Sequence, residues 1–161
     1  MRLYSVVKAE RATKLHLNIL VAEDNPSDRL LLQMALTRNG VEVNLHLVED
    51  GSEAIQYLEG HGPFANRHKH PIPDLILLDL KMQRLSGFDV LLWLRDRPHC
   101  AAIPTVVLSG SGLEQDIEQA YALGAKTYFE KPTSFADFGS LLQLLIEYWA
   151  RSKRPARPGN C

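Results

Sequence analysis

Five times along this chain a short apolar run is followed by a segment whose apolar residues recur at helical spacing, and this alternation restricts the fold more than any other feature. The first run is residues 17–22. Asn25 can cap the helix that follows, with Pro26 at the first helical position, where a missing N–H is harmless. Leu30, Leu31, Met34 and Ala35 share one face of that helix, which is expected to stop at Asn39-Gly40. Val41, Val43, Leu45 and Leu47 then alternate with polar residues, the period of a strand buried on one side. Asp50 and Glu53 have capping-box spacing for a second helix ending at Gly60. Residues 75–78 are apolar without interruption, as in a strand covered on both faces. Ser86 and Asp89 open a third helix that ends before Pro98, and residues 103–108 make a fourth strand. Ser111 with Glu114 is expected to cap a fourth helix ending at Leu123-Gly124, followed by a fifth strand over residues 126–130. Ser134 and Asp137 begin a last helix with Phe135, Phe138, Leu142, Leu145 and Trp149 on one stripe.

Strict alternation of this kind implies a mostly parallel sheet with helices on both faces. Strands one, three and four are apolar throughout and belong inside the sheet, while strands two and five suit its edges. The expected fold is α/β: a single (βα)5 doubly wound parallel sheet of order 2-1-3-4-5, over residues 16–150. Residues 1–15 read as an N-terminal extension, and residues 151–161, RSKRPARPGNC, as a basic and flexible tail.

Ligands of such sheets bind beyond the carboxyl ends of the strands. Strand one runs into Glu23-Asp24, strand three into Asp79, strand four into Ser109 and strand five into Lys131-Pro132. Any one of these alone would be ordinary loop polarity. Three carboxylates on one face repel and need a cation, and an all-oxygen donor set suits a hard ion such as Mg²⁺. An ionised Asp beside a divalent ion can attack phosphorus and form an acyl phosphate. A Lys ammonium opposite would neutralise spreading charge on the phosphoryl group, and a hydroxyl could hydrogen-bond to one of its oxygens. The formal charge of -1 is an average of unlike parts. Residues 16–150 hold 10 basic and 18 acidic side chains, residues 1–15 hold 4 and 1, and residues 151–161 hold 4 basic and none acidic. An acidic, cation-seeking domain lies between two basic ends.

Four stretches, ILVAEDNPSDRLLL, DLILLDLKMQRLSGFDVL, PTVVLSGSG and YALGAKTYFEKP, together resemble the receiver domain of two-component response regulators, the CheY-like superfamily with its flavodoxin-like fold. The resemblance covers about residues 16–150. It implies Asp79 as phosphoacceptor, with Glu23, Asp24, Asp79 and the backbone carbonyl of Lys81 holding Mg²⁺, for which Mn²⁺ would substitute. It also implies Ser109 as the switch hydroxyl, Lys131 as the phosphate-binding ammonium, Tyr128 as the switch aromatic, and a cis peptide bond before Pro132. The function implied is that of a single-domain regulator without an output domain, phosphorylated by a sensor histidine kinase. It would catalyse only its own phosphoryl transfer and dephosphorylation, and it would signal through the surface of its fourth helix, fifth strand and last helix. EDNPSDRLLLQMAL, the long loop before PDLILLDL, and LSGS followed by D-x-x-x-A-Y resemble small regulators that partner phytochrome-type histidine kinases, bacteriophytochromes among them.

Two residues depart from the family pattern: Gln83 stands where a Pro is usual, and Lys81 puts a basic side chain beside the path of an attacking water. Loss of the Pro loosens a turn but removes no ligand, so phosphorylation should survive, while Lys81 bears on the rate of dephosphorylation. Competing readings are an Asp-dependent hydrolase, for which a second Asp two residues after Asp79 is missing, and a binding module that has lost its chemistry. Beyond its stripe the last helix carries Leu141, Leu144, Ile146 and Tyr148, which suggests a homodimer through this region and the C-terminal extension. His61, His68 and His70, in the loop 60–73, lack metal-ligand spacing and read as surface residues. Cys100 and Cys161 cannot build a disulfide framework and read as free thiols. No apolar run approaches the roughly 20 residues of a membrane span, and the start lacks a secretory signal, so a cytoplasmic location is expected. Nucleic-acid binding through the basic tail is a third competing reading, but the tail reads as a solvated end and the near-neutral chain gives no general grip on nucleic acid, so direct binding is not expected.

Overall fold

The computed structural model describes residues 15–36, 41–155 and 161. Five strands, β1 (Leu15–Ala22), β2 (Val41–Val48), β3 (Leu75–Leu78), β4 (Thr105–Ser109) and β5 (Thr127–Glu130), form one parallel sheet of order β2-β1-β3-β4-β5. Among the described residues six α-helices connect them: α1 (Pro26–Leu36), α2 (Gly51–Glu59), α3 (Gly87–Arg95), the short α4 (Pro98–Ala101), α5 (Glu114–Ala122) and α6 (Phe135–Arg151). The fold class and strand order are those expected from the sequence.

Alternation along the strands divides the core into two layers. Leu20, Ala22, Ile76, Leu78 and Val107 face α2, α3 and α5, where they meet Tyr57, Leu58, Val90, Leu91 and Ala120. Leu17, Ile19, Val21, Leu75, Leu77, Val106 and Leu108 face α1 and α6, where they meet Leu32, Leu36, Phe138, Leu142, Leu145 and Ile146. β3 and β4 are buried at every position, which explains why β3 is wholly apolar and β4 apolar between Thr105 and Ser109.

Most helix starts are built as their sequences predict. The Asn25 carboxamide accepts from the N–H groups of Ser27 and Asp28 at 2.9 and 3.1 Å. Ser86 and Asp89 close both arms of a capping box, and Ser134 accepts from the Asp137 N–H. Asp50 accepts from the Glu53 N–H, but the Glu53 carboxylate reaches the N–H of Glu49 rather than that of Asp50. The helix ends at Gly60, whose φ of 70° suits a residue without Cβ. The expected stop at Asn39-Gly40 and the extension over 1–15, apart from Leu15, lie outside the described residues.

Several expectations are corrected. Ser111 does not cap α5: its hydroxyl donates to the Asp116 carboxylate at 2.5 Å, and the N-cap position falls to Leu113. An extra helix, α4, begins at Pro98, because Pro is favoured at a first helical position as well as after a helix end. On α6, Ile146 is buried and Phe135 is 59% exposed. The core-facing stripe runs through Phe138, Leu142, Leu145 and Ile146, while Phe135, in the first turn, lines an open groove with Leu31 and Met34 of α1. Cys100 and Cys161 are paired in a disulfide, with Cα atoms 5.1 Å apart, within the span such a bond needs. The pair places Cys161 against α4, 61 positions after its partner. Arg154 lies within the tail and is anchored, donating to the Asp74 carbonyl at 3.0 Å and pairing with its carboxylate at 3.2 Å. None of the described peptide bonds is cis, so the bond before Pro132 is trans. The trans form is the lower in energy for X–Pro, and with it the Lys131 N–H already reaches the Ser109 carbonyl at 2.8 Å.

The loop 60–73 is organised by Arg67, which donates to the carbonyls of Tyr57, Leu58 and His70 and so satisfies the end of α2. His61 and His68 are exposed, whereas His70 packs edge-on against Tyr57 and Phe64. His46 faces the same group, with its ring 5.3 Å from Tyr57 and 6.1 Å from His70, and its buried Nε2 has no hydrogen-bond partner. Burial, then the neighbouring His70, holds its pKa below the ordinary value. A histidine with a lowered folded pKa binds fewer protons folded than unfolded, so stability should fall as pH drops below about 6.5. Urea midpoints at pH 7.5 and 5.5 should therefore differ less in His46→Gln than in the parent chain.

Candidate phosphoacceptor and metal site

The carboxyl ends of β1, β3 and β5 converge as the topology requires. The Glu23 N–H donates to Val48 O at 3.1 Å and the Asp79 N–H to Ala22 O at 3.1 Å, so hydrogen bonds between neighbouring strands fix both acids. Glu23 and Asp79 are buried, and ligand oxygens of Glu23, Asp24 and Asp79 lie within 4.8 Å of one another. Three carboxylates at this spacing suit a hard divalent cation of the Mg²⁺ or Mn²⁺ type.

Lys131 crosses to this cluster from the end of β5. Its ammonium donates to Glu23 Oε2 at 2.5 Å, Asp28 Oδ2 at 2.9 Å and Asp79 Oδ2 at 3.3 Å. Burial opposes its charge, but the hydrogen bonds to Glu23 and Asp28 and the Asp79 charge outweigh that and raise its pKa above the ordinary lysine range. Lys131 therefore stays an ammonium. The Glu23 carboxyl is pushed up to about 7, first by burial and then by the Asp79 charge, against hydrogen bonds from Lys131 and the Asn25 N–H. Asp79 Oδ1 faces the Lys81 N–H at 3.4 Å, and the Lys81 side chain is exposed.

Ser109 lies fully buried at the end of β4, with its Oγ accepting from the Ser111 N–H at 3.2 Å. Tyr128, on β5, donates to the Ser111 carbonyl at 2.6 Å. The loop after β4 thus touches both residues singled out for switching. Lys131, Asp79 and Glu23 are brought into direct contact, while Ser109 and Tyr128 are joined through Ser111.

Three contributors escaped the sequence reading. Arg29 donates to the carbonyls of Glu23 and Asp24 at 2.8 and 3.1 Å and pairs with Glu49 at 3.4 Å, clamping the acidic pair from α1. Asp28 holds Lys131. Gly87 packs so closely on the Asp79–Leu80 backbone that a Cβ there would lie 2.8 Å from Leu80 Cα. Its presence in LSGFDVL was the available signal. Beyond Gln83, the loop passes through Arg84 at φ 61°, a left-handed conformation for a residue with a Cβ, and the guanidinium pairs with Asp50 at 3.4 Å.

Residues 19–143 match the family model described as "Response regulator receiver domain". The response regulator Rcp1 of Synechocystis is 32% identical over 131 residues, covering 81% of this chain and 87% of that protein. FilR2 of Methanothrix harundinacea is 32% identical over 143 residues, covering 87% and 88%. Among solved structures, the phosphorylated cyanobacterial phytochrome response regulator RcpA is 35% identical with a TM-score of 0.82, covering 88% of this chain and 99% of that one. The Mn²⁺-bound form of Rcp1 is 31% identical with a TM-score of 0.80, covering 87% and 99%. With three acidic side chains and one ammonium gathered at the strand ends, and a family match over most of its length, the chain belongs to the response regulator receiver domains and is related to the phytochrome response regulators.

Proposed function

We propose that this protein accepts a phosphoryl group on Asp79 from the phosphohistidine of a sensor histidine kinase, in a Mg²⁺-dependent reaction that Mn²⁺ also supports. The observation that carries the reading is the buried contact of the Lys131 ammonium with Asp79 beside the Glu23–Asp24 pair. A divalent ion held by Glu23, Asp24, Asp79 and the Lys81 carbonyl would neutralise charge on the phosphoryl oxygens. The free Asp79 oxygen attacks phosphorus, the phosphorus–nitrogen bond breaks, and the imidazole nitrogen keeps the electron pair. Lys131 stabilises one phosphoryl oxygen and the Ser109 hydroxyl donates to another.

In this reading, movement of Ser109 toward the phosphoryl group pulls on the loop at Ser111, which Tyr128 also holds, and so shifts the population of the α5–β5–α6 surface. That surface exposes Leu144 and Tyr148, beside Phe129, Leu141 and Trp149, and we assign it to a second copy of the chain. The kinase is assigned to the phytochrome type because RcpA, a phytochrome response regulator, is matched over 99% of its length.

Acetyl phosphate with Mg²⁺ or Mn²⁺, followed by intact mass measurement, tests the chemistry. The expected result is a stable gain of one phosphoryl group that chelation of the metal prevents. Rapid multiple turnover to inorganic phosphate with no phosphorylated chain accumulating would instead mark a hydrolase, and no gain and no release an inactive module. Sedimentation with and without the donor tests the pairing of copies, which a monomer in both states would exclude.

A further inference from the structure

Asp28 does not belong to the set of carboxylates placed for a cation, yet it makes one of the three contacts of the Lys131 ammonium. It stands in the first turn of α1, whereas Lys131 follows β5, 103 residues away. Their side chains are 26% and 15% exposed, so the pair is mostly sheltered from solvent. The other two acceptors, Glu23 and Asp79, are the ones that a bound cation would claim. A cation there would also repel the ammonium. Asp28 is then the contact that remains to keep Lys131 at the phosphoacceptor.

Resting on the phosphoacceptor reading, we propose that Asp28 is a positioning residue for phosphoryl transfer, retaining the Lys131 ammonium beside Asp79 while the divalent ion occupies the neighbouring carboxylates. Asp28 touches neither the phosphoryl group nor the metal and acts through Lys131 alone. Its surroundings are built to hold it in place. The Asn25 cap fixes the Asp28 backbone N–H at 3.1 Å, and Arg29 ties the next residue to the Glu23 and Asp24 carbonyls. The first turn of α1 thereby holds Lys131 with one side chain and the acidic pair with the next.

The test is a double-mutant cycle on the initial rate of phosphorylation by acetyl phosphate at saturating Mg²⁺, with Asp28→Asn, Lys131→Met and the double variant. Mg²⁺ affinity is read separately in each. A hydrogen bond of ordinary net strength is worth about a five- to ten-fold change, and Asp28→Asn, which removes a contact open in part to solvent, should slow the parent chain by about that factor. In the Lys131→Met background the same substitution should change nothing, and Asp28→Glu should recover part of the rate. The Mg²⁺ midpoint of Asp28→Asn should stay within about two-fold of the parent. An unchanged rate in Asp28→Asn, an equal slowing in both backgrounds, or a shifted Mg²⁺ midpoint that accounts for the slowing would overturn the proposal. Failure of the parent chain to be phosphorylated would instead overturn the phosphoacceptor reading itself.

Discussion

Replacing Asp79 by Asn should lower phosphoryl incorporation by more than about a thousand-fold, because the carboxamide has no ionised oxygen to attack phosphorus. The fold should survive the change. Asp79 is one of several acids crowded at the strand ends, and Lys131 keeps its contacts with Glu23 and Asp28 when the Asp79 charge is removed. Relief of repulsion among the carboxylates should leave the variant as stable as the parent or slightly more so. Intact mass after treatment with acetyl phosphate, combined with a urea melt, separates the two effects. Near-normal incorporation in Asp79→Asn would move the phosphoacceptor elsewhere.

A second large effect is expected from the smallest substitution near the site. Gly87→Ala places a methyl group against the carbonyl of Asp79 and 2.8 Å from Leu80 Cα. Backbone cannot yield as a side-chain tip can, so the loop after β3 must shift, at a cost of about 3 kcal/mol in stability. The same shift moves the Lys81 carbonyl and should weaken Mg²⁺ binding. Gly139→Ala is the informative contrast. Gly139 lies within α6 with nothing within 4 Å of an added Cβ, so that substitution should stabilise by about 0.5–1 kcal/mol. Urea midpoints moving in opposite directions for the two variants would establish that the space around each Cβ, and not glycine replacement in general, decides the sign.

The sheet was legible because each strand carries its own burial in its pattern. β1, β3 and β4 lie between neighbours and read as largely apolar runs, while β2, with Glu42 and Asn44 exposed, alternates as an edge strand does. Glu23, Asp24, Asp79 and Lys131 were legible for the related reason that parallel strands deliver their ends to one side. Asp28 was hidden by a sufficient local explanation, since an acid in the first turn of a helix already stabilises the helix dipole. Its reach to Lys131 depends on how α1 is placed against β5, which no short window of sequence records. Gly87 was visible only as a letter of a motif, because its steric role exists once α3 approaches the Asp79 backbone. Ser111 had the right spacing for a cap, but Asp116 offered its hydroxyl an ionised acceptor. The disulfide of Cys100 with Cys161 joins residues 61 positions apart, and two cysteines so far apart in sequence carry no pattern from which to read it.

Phosphorylation is expected on one carboxylate, and the chemistry of an acyl phosphate allows that carboxylate to be identified directly. An acyl phosphate is reduced by borohydride to an alcohol, converting a phosphorylated aspartate to homoserine while leaving free carboxylates untouched. The chain treated with acetyl phosphate and Mg²⁺, reduced in this way and mapped by peptide mass spectrometry, should carry the conversion at Asp79 and nowhere else. Conversion at Glu23, Asp24 or Asp28, or no conversion in a chain that binds Mg²⁺, would contradict the account.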